Sequence, residues 1–200
     1  DCDADYLTDG EGNQYPVQQT KEGAVVFVKD IPSKGYRLFH KKKGEEKKDI
    51  PFVLKDDRNL ETPFYYVHFN RNGEIVQYER ALNQMRMYED KPIYFDNWDI
   101  DIYYTEKSWP VEGIERMEWT ELGNVRAVLE IDRKSSNSTF SQRIIFYADQ
   151  RRIEFQNHVD WKEHQTLLKV HFPVKVHTDE ATFDIQFGNL TRKVHRNTSW

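Results

Sequence analysis

Two hundred residues with a mean hydropathy of −0.88 leave room for one sizeable core or two small ones, and no apolar run approaches the 18 residues of a membrane-spanning helix. A net charge of −5 and a pI near 5.8 supply no broad basic field, which argues against nucleic acid as a partner. One cysteine, Cys2, excludes an internal disulfide and agrees with a reducing, cytoplasmic compartment. Aromatic residues make up 14% of the chain and helix-periodic segments are few, which predicts an all-β protein.

In chain order, Asp9, Gly10, Gly12 and Asn13 form a turn cluster, followed by a predicted strand over residues 24–28 and another over 36–40, with Pro32 and Gly35 between them. The mixed charge run 41–48 flanks Gly44 and reads as a solvated loop, because Glu45 and Glu46 cancel its lysines. It is the candidate boundary between a small β-domain over 1–50 and a larger one over 51–200. Residues 64–70 and 74–79 alternate around Asn72-Gly73, the dipeptide of a tight β-hairpin. Residues 81–87 are compatible with a helical turn or two, which Asn83 and Pro92 keep short.

The stretch YEDKPIYFDNWDIDIYY, residues 88–104, is the densest in aromatic and acidic residues. From Tyr94 it alternates, with Asp96, Trp98, Ile100, Ile102 and Tyr104 on one side and Asp99 and Asp101 on the other, which predicts a half-buried strand. Asp96 on an apolar face needs a partner: it either bonds backbone amides in a turn with Phe95 and Asn97 or faces a ligand. A loop through Trp109, Pro110 and Gly113 leads to strands over 125–131, 140–147, 152–159 and 166–176, whose short connections predict an antiparallel meander. In the last of these, Leu168, Val170, Phe172, Val174 and Val176 alternate with Lys169, His171, Lys175 and His177, which predicts a buried apolar face. A strand over 183–187 then precedes a polar tail over 191–200. Together the segments predict a large antiparallel β-sandwich.

Several groups carry candidate chemistry. His158, Asp160, Glu163 and His164 are close in sequence but lack a zinc-site spacing, and a polar strand edge beside a core Trp161 accounts for them, so no metal ligand is assigned. Asp99 and Asp101 side by side on a strand would not bracket a sugar ring as retaining glycoside hydrolysis requires. Arg192, His195, Arg196 and Asn197 are a polar group of fixed donors, suited either to sugar contact or to bracing a loop. Trp98, Trp109 and Trp119 offer ring faces for sugars, which keeps a freestanding carbohydrate-binding β-sandwich in view.

Four ordered blocks carry a family resemblance: NRNGEIVQYERALNQ from residue 70, YEDKPIYFDNWDID from 88, VDWKEHQTLLKVHFPV from 159 and FDIQFGNLTRKVHRNTSW from 183. They resemble the C-terminal half of family 38 glycoside hydrolases, the retaining α-mannosidases, most closely the cytosolic and bacterial branch. Asn97 replaces the usual alanine of Asp-Ala-Trp-Asp, and Val194 replaces a threonine. The resemblance implies a supersandwich of the galactose-mutarotase type over 51–200, preceded by the end of a smaller β-domain. It also implies a longer parent enzyme whose nucleophile and zinc lie in an N-terminal α/β domain, so that this part holds no catalytic residue and no cofactor of its own. That domain and a mannose-containing oligosaccharide are the implied partners. The expected sugar contacts are Asp96, Trp98, Asp99, Arg192, His195 and Asn197, and the opening Asp1 in place of Met fits an excised part.

Overall fold

The computed structural model describes residues 3–44, 50–77, 80–95, 98 and 100–195. Strands β1 (Tyr6–Thr8), β2 (Gln14–Thr20), β3 (Gly23–Val26) and β4 (His40–Lys42) form a first sheet in the order β3-β2-β1-β4. β5 (Val53–Asp56), β6 (Asn59–Glu61), β7 (Tyr66–Phe69), β8 (Ile75–Gln77) and β9 (Arg80–Leu82) make a five-stranded meander. β10 (Gln84–Glu89) and β11 (Ser108–Pro110) follow, with a 3-10 helix over Ile102–Glu106 between them. The central sheet is a second meander of β12 (Ile114–Leu122), β13 (Arg126–Ser135), β14 (Ser138–Tyr147) and β15 (Ile153–Asp160). β16 (Thr166–His171) returns to pair with β10, and β17 (Glu180–Ile185) and β18 (Gly188–Lys193) close a separate hairpin.

All the pairings are antiparallel, and two sheets cover one face of the central sheet, so the protein is an all-β sandwich. Ala127, Leu129 and Ile131 of β13 and Ile144 and Phe146 of β14 meet Leu60, Val67, Phe69 and Ile75 of the five-stranded meander in the larger core. Farther along the same face of β14, Phe140 meets Met85 and Met87 of β10, with Trp109, Trp161 and Leu168 at the margin. Gln142 lies between the two clusters in sequence and is buried. Its side chain accepts from Asn83 Nδ2 at 2.9 Å and donates to Asn83 Oδ1 at 3.2 Å and to Asn157 Oδ1 at 2.7 Å. Asn83 separates β9 from β10 and has a φ of 62°, the left-handed region that Asn tolerates better than most residues. The first sheet is tied on through Gln18, whose side-chain oxygen accepts from the amides of Val125 and Arg126 at 3.0 and 2.8 Å.

The Asn72-Gly73 hairpin forms as expected, with β7 and β8 paired through His68 and Phe69. Gly73 has a φ of 65°, and a Cβ there would lie 2.6 Å from Ile131 Cδ1, so both conformation and space demand glycine. Buried Arg133 holds the tip by donating to the Asn72 carbonyl at 2.9 Å.

Several expectations are corrected. Residues 36–39 are irregular, and the strand near them is β4. Residues 81–87 belong to β9 and β10 rather than a helical turn, because both edges of β10 are taken up by β11 and β16. The same pairing leaves 94–104 without a strand partner, so the alternating segment is a connection ending in the 3-10 helix. β16 is not the fourth strand of the meander and stops at His171, opposite the first residue of β10 and two residues before Pro173. Of its predicted buried face, Leu168 reaches the second core, whereas Val174 and Val176 are 62% and 65% exposed. The supposed polar tail from 191 contributes instead to β18, and β12 escaped prediction because register shifts at Ile114/Arg116 and Trp119/Glu121 break its alternation.

Replacing Gln142 with Leu leaves the Asn83 and Asn157 amides without their partner in the interior. The urea midpoint of Gln142→Leu is expected to fall by the equivalent of about 1–3 kcal/mol at unchanged slope. An unaltered midpoint would show that the amide joint does not hold the sheets together.

Candidate functional site

Between β10 and β11 the described residues of 90–107 form a connection that joins no sheet. Its base is closed by Glu89 N donating to the Lys107 carbonyl at 3.1 Å and Asp90 N to the Gln165 carbonyl at 2.8 Å. Higher up, the Asp101 carboxylate accepts from Ile93 N at 2.7 Å and the Asp101 carbonyl accepts from Tyr104 N at 3.1 Å, so one residue ties both limbs. At the tip, Trp98 N donates to the Phe95 carbonyl at 2.8 Å across a tight turn, with Phe95 at a φ of 58°.

Below the tip is a concavity lined by Glu89, Lys91, Asp101, Tyr103, Tyr104 and Lys107. Lys91 Nζ and Lys107 Nζ donate to Glu89 at 2.6 and 3.2 Å, and these bonds, Lys91 first, hold its carboxyl below the ordinary glutamate range. Glu89 is therefore an anion at neutral pH, already paired, and a poor general acid. Tyr104 is seated edge-on against Tyr88, with centroids 5.5 Å apart, and its hydroxyl accepts from Lys169 Nζ at 2.7 Å. Lys169 and Tyr88 lie in two strands far apart in sequence. The signal that could have found them is the register of β10 and β16, which the notion of a single four-strand meander concealed.

The tip is aromatic and bare. Tyr94 and Phe95 are each 75% exposed and Trp98 is 89% exposed, an apolar surface of the sort that marks an interaction site. Of the expected sugar contacts, Trp98 is on this loop and Arg192 is on β18, and no hydrogen bond, ring contact or ion pair among the described residues joins the two. His195 follows β18. Asp96, Asp99 and Asn197 lie outside the described residues. Of the supposed carboxylate pair, Asp101 is engaged with Ile93 N and Asp99 lies outside the described residues.

No group of three or more metal-ligating side chains gathers among the described residues. Asp160 pairs with Lys162 at 2.8 Å, and Glu163 accepts from Ser138 Oγ and Asn137 N, each at 2.8 Å, so that cluster is divided among separate structural bonds. No helix among the described residues is long and apolar enough to cross a membrane.

Residues 60–200 match the sequence model described as the glycosyl hydrolases family 38 C-terminal domain. Alpha-mannosidase 2C1 of Mus musculus is 36% identical over 135 residues, 64% of this chain and 13% of that protein. Alpha-mannosidase 2C1 of Homo sapiens is 37% identical over 123 residues, 59% of this chain and 12% of that protein. Alpha-mannosidase G of Dictyostelium discoideum is 32% identical over 136 residues, 64% of this chain and 12% of that protein. The matched stretch thus spans about an eighth of these relatives' length.

If Asp101 ties the loop as described, Asp101→Ala speeds hydrogen exchange at the Ile93 amide about tenfold and leaves the Leu129 amide in the core unchanged, while Asp101→Asn, which keeps an acceptor, has a smaller effect. Equal exchange at Ile93 in all three proteins would show that the loop is held elsewhere.

Proposed function

Because the chain belongs to glycoside hydrolase family 38 through that family's C-terminal domain, we propose that it is a non-catalytic β-sandwich portion of a retaining α-mannosidase that releases terminal α-linked mannose from oligosaccharides. The observation that carries this reading is the family match over 60–200, together with mannosidase relatives that are much longer than this chain. In this reading the nucleophile and the zinc belong to an N-terminal catalytic domain, and the sandwich braces that domain in the cytoplasm. What supports a non-catalytic role is local chemistry. Glu89 is ion-paired and Asp101 is committed to Ile93 N, so neither carboxylate is free to act as acid, base or nucleophile. The described residues also fit no zinc site, so no step of the reaction is routed through them.

The loop at 90–107 is the part assigned to substrate. An indole projecting from a tied loop presents a flat apolar face to a sugar ring, and flanking carboxylates accept from its hydroxyls. Trp98 takes the first role and Asp96 and Asp99 the second, at the border with the catalytic domain. Arg192, His195 and Asn197 are assigned as a second set of donors to the sugar.

Two measurements bear on this. The isolated chain is expected to show no turnover of an aryl α-mannoside with or without zinc, whereas the full-length parent hydrolyses it. In the parent, Asp96→Asn and Trp98→Ala are expected to lower kcat/KM about tenfold or more with folding preserved, as loss of a charge-assisted bond worth about 1.5–3 kcal/mol requires. Folded variants with unchanged kinetics would make the loop a structural motif only. Turnover by the isolated chain that is lost on mutation within it would overturn the non-catalytic reading.

A further inference from the structure

The β11–β10–β16 sheet has a second face, turned away from Met85, Met87 and Leu168, that the mannosidase reading does not use. Side-chain alternation places Arg86 and Tyr88 of β10 and Lys169 and His171 of β16 on it, with Arg86 directly opposite Lys169 in register. Tyr88 is the floor: its ring is buried, stacks on the His171 imidazole at 15° with centroids 5.8 Å apart, and its hydroxyl lies 2.7 Å from His171 Nε2. The Lys169 ammonium sits 5.7 Å from the Tyr88 centroid and 4.6 Å from that of Tyr104. Arg86 uses one donor on Ser108 Oγ at 2.9 Å, and Lys169 uses one on the Tyr104 hydroxyl. The remaining N–H groups of both stay available.

Among the described residues this concentration of positive charge has no carboxylate paired with it. Neither Arg86 nor Lys169 forms an ion pair among the described residues, a state they share with Arg58, Arg71 and buried Arg133, but these two stand directly opposite each other on one face of a sheet. Two half-buried cations against an aromatic floor carry a desolvation cost that an anion would offset. A guanidinium and an ammonium carried by directly opposed residues of neighbouring strands are the donor set that suits an oxyanion.

We propose that this face is an oxyanion-binding site, taking a phosphate or carboxylate group between the Arg86 guanidinium and the Lys169 ammonium with His171 alongside. The site stands on this geometry and not on the mannosidase reading. His171 is its reporter. Burial, then Lys169 and Arg86, hold the imidazole below its ordinary pKa in the free protein. The other side chains of this cluster are phenols, Tyr88 of β10 stacked on the imidazole and Tyr104 of the 3-10 helix against Tyr88 and Lys169. A bound anion offsets the two cations and raises the His171 pKa, so binding takes up a proton and strengthens as pH falls through the bound-state value.

The test follows the His171 ring C–H resonance of the chain by NMR, its assignment secured with His171→Asn. Sodium phosphate and sodium acetate are titrated separately at constant ionic strength against sodium chloride. A saturable shift, with the His171 pKa raised by about half a unit or more, is expected in phosphate if the ligand is a phosphate group and in acetate if it is a carboxylate. His158, on β15, should not follow it. Arg86→Gln and Lys169→Gln, with folding verified by urea midpoints, are each expected to weaken the affinity about fivefold or more. Arg86→Lys, which keeps the charge and loses the fork, falls between. No saturable response beyond chloride with either anion, or an undiminished response in the Arg86→Gln/Lys169→Gln double variant, overturns the proposal.

Discussion

A pair of buried amides governs the architecture. Asn83 and Gln142 satisfy each other in both directions, and Gln142 also reaches Asn157, at the point where the chain leaves one sheet of the sandwich and enters the next. Polar groups that deep are tolerated only when paired, so the contact admits one registration of β14 against the β9–β10 joint and penalises others. The left-handed backbone of Asn83 redirects the chain there. Apolar residues flank the joint on both sides, Ile144 and Phe146 toward the larger core and Phe140 toward the smaller. One face of β14 thus sees two sheets with a hydrogen-bonded seam between them.

The position of β10 follows from that seam, and the functional features follow from β10. With β11 on one edge and β16 on the other, the described residues of 90–107 join no ladder. Asp101 and the Lys169–Tyr104–Tyr88 contacts then hold this connection above its base while Tyr94, Phe95 and Trp98 remain bare. The opposite consequence of the same pairing is the basic face. Arg86 and Lys169 come from segments more than eighty positions apart and meet only because β16 returns to β10. Their charges are left without carboxylates there, in contrast to the outer face of the central sheet, where Arg116 meets Glu130 and Asp132.

Membership of family 38 gives the aromatic loop a context, since an exposed tryptophan on an anchored loop has the shape of a sugar platform and the relatives' names concern mannosidases. The carboxylates of Glu89, Asp101 and Glu163 are each engaged, the first in ion pairs and the other two with backbone amides.

Local pattern was enough for some of the fold. The Asn72-Gly73 hairpin, the meander of β13 to β15 and the all-β class were legible because turn residues and period-2 alternation act within a few residues of one another. Alternation misled at 94–104 and at 172–176, where strand-like residues have no neighbouring edge to pair with, and it hid β12, whose bulges interrupt the period. Of the candidate site, Trp98 and its motif were visible as sequence, but the tie from Asp101 to Ile93, the seating of Tyr104 on Lys169 and the company of Arg86 were not. By itself, then, the sequence determined class, family and the local strands and turns. Which strand pairs with which, and therefore what is loop, what is buried and which charges converge, was decided only by tertiary structure, because a strand is completed by a partner that its own residues do not specify.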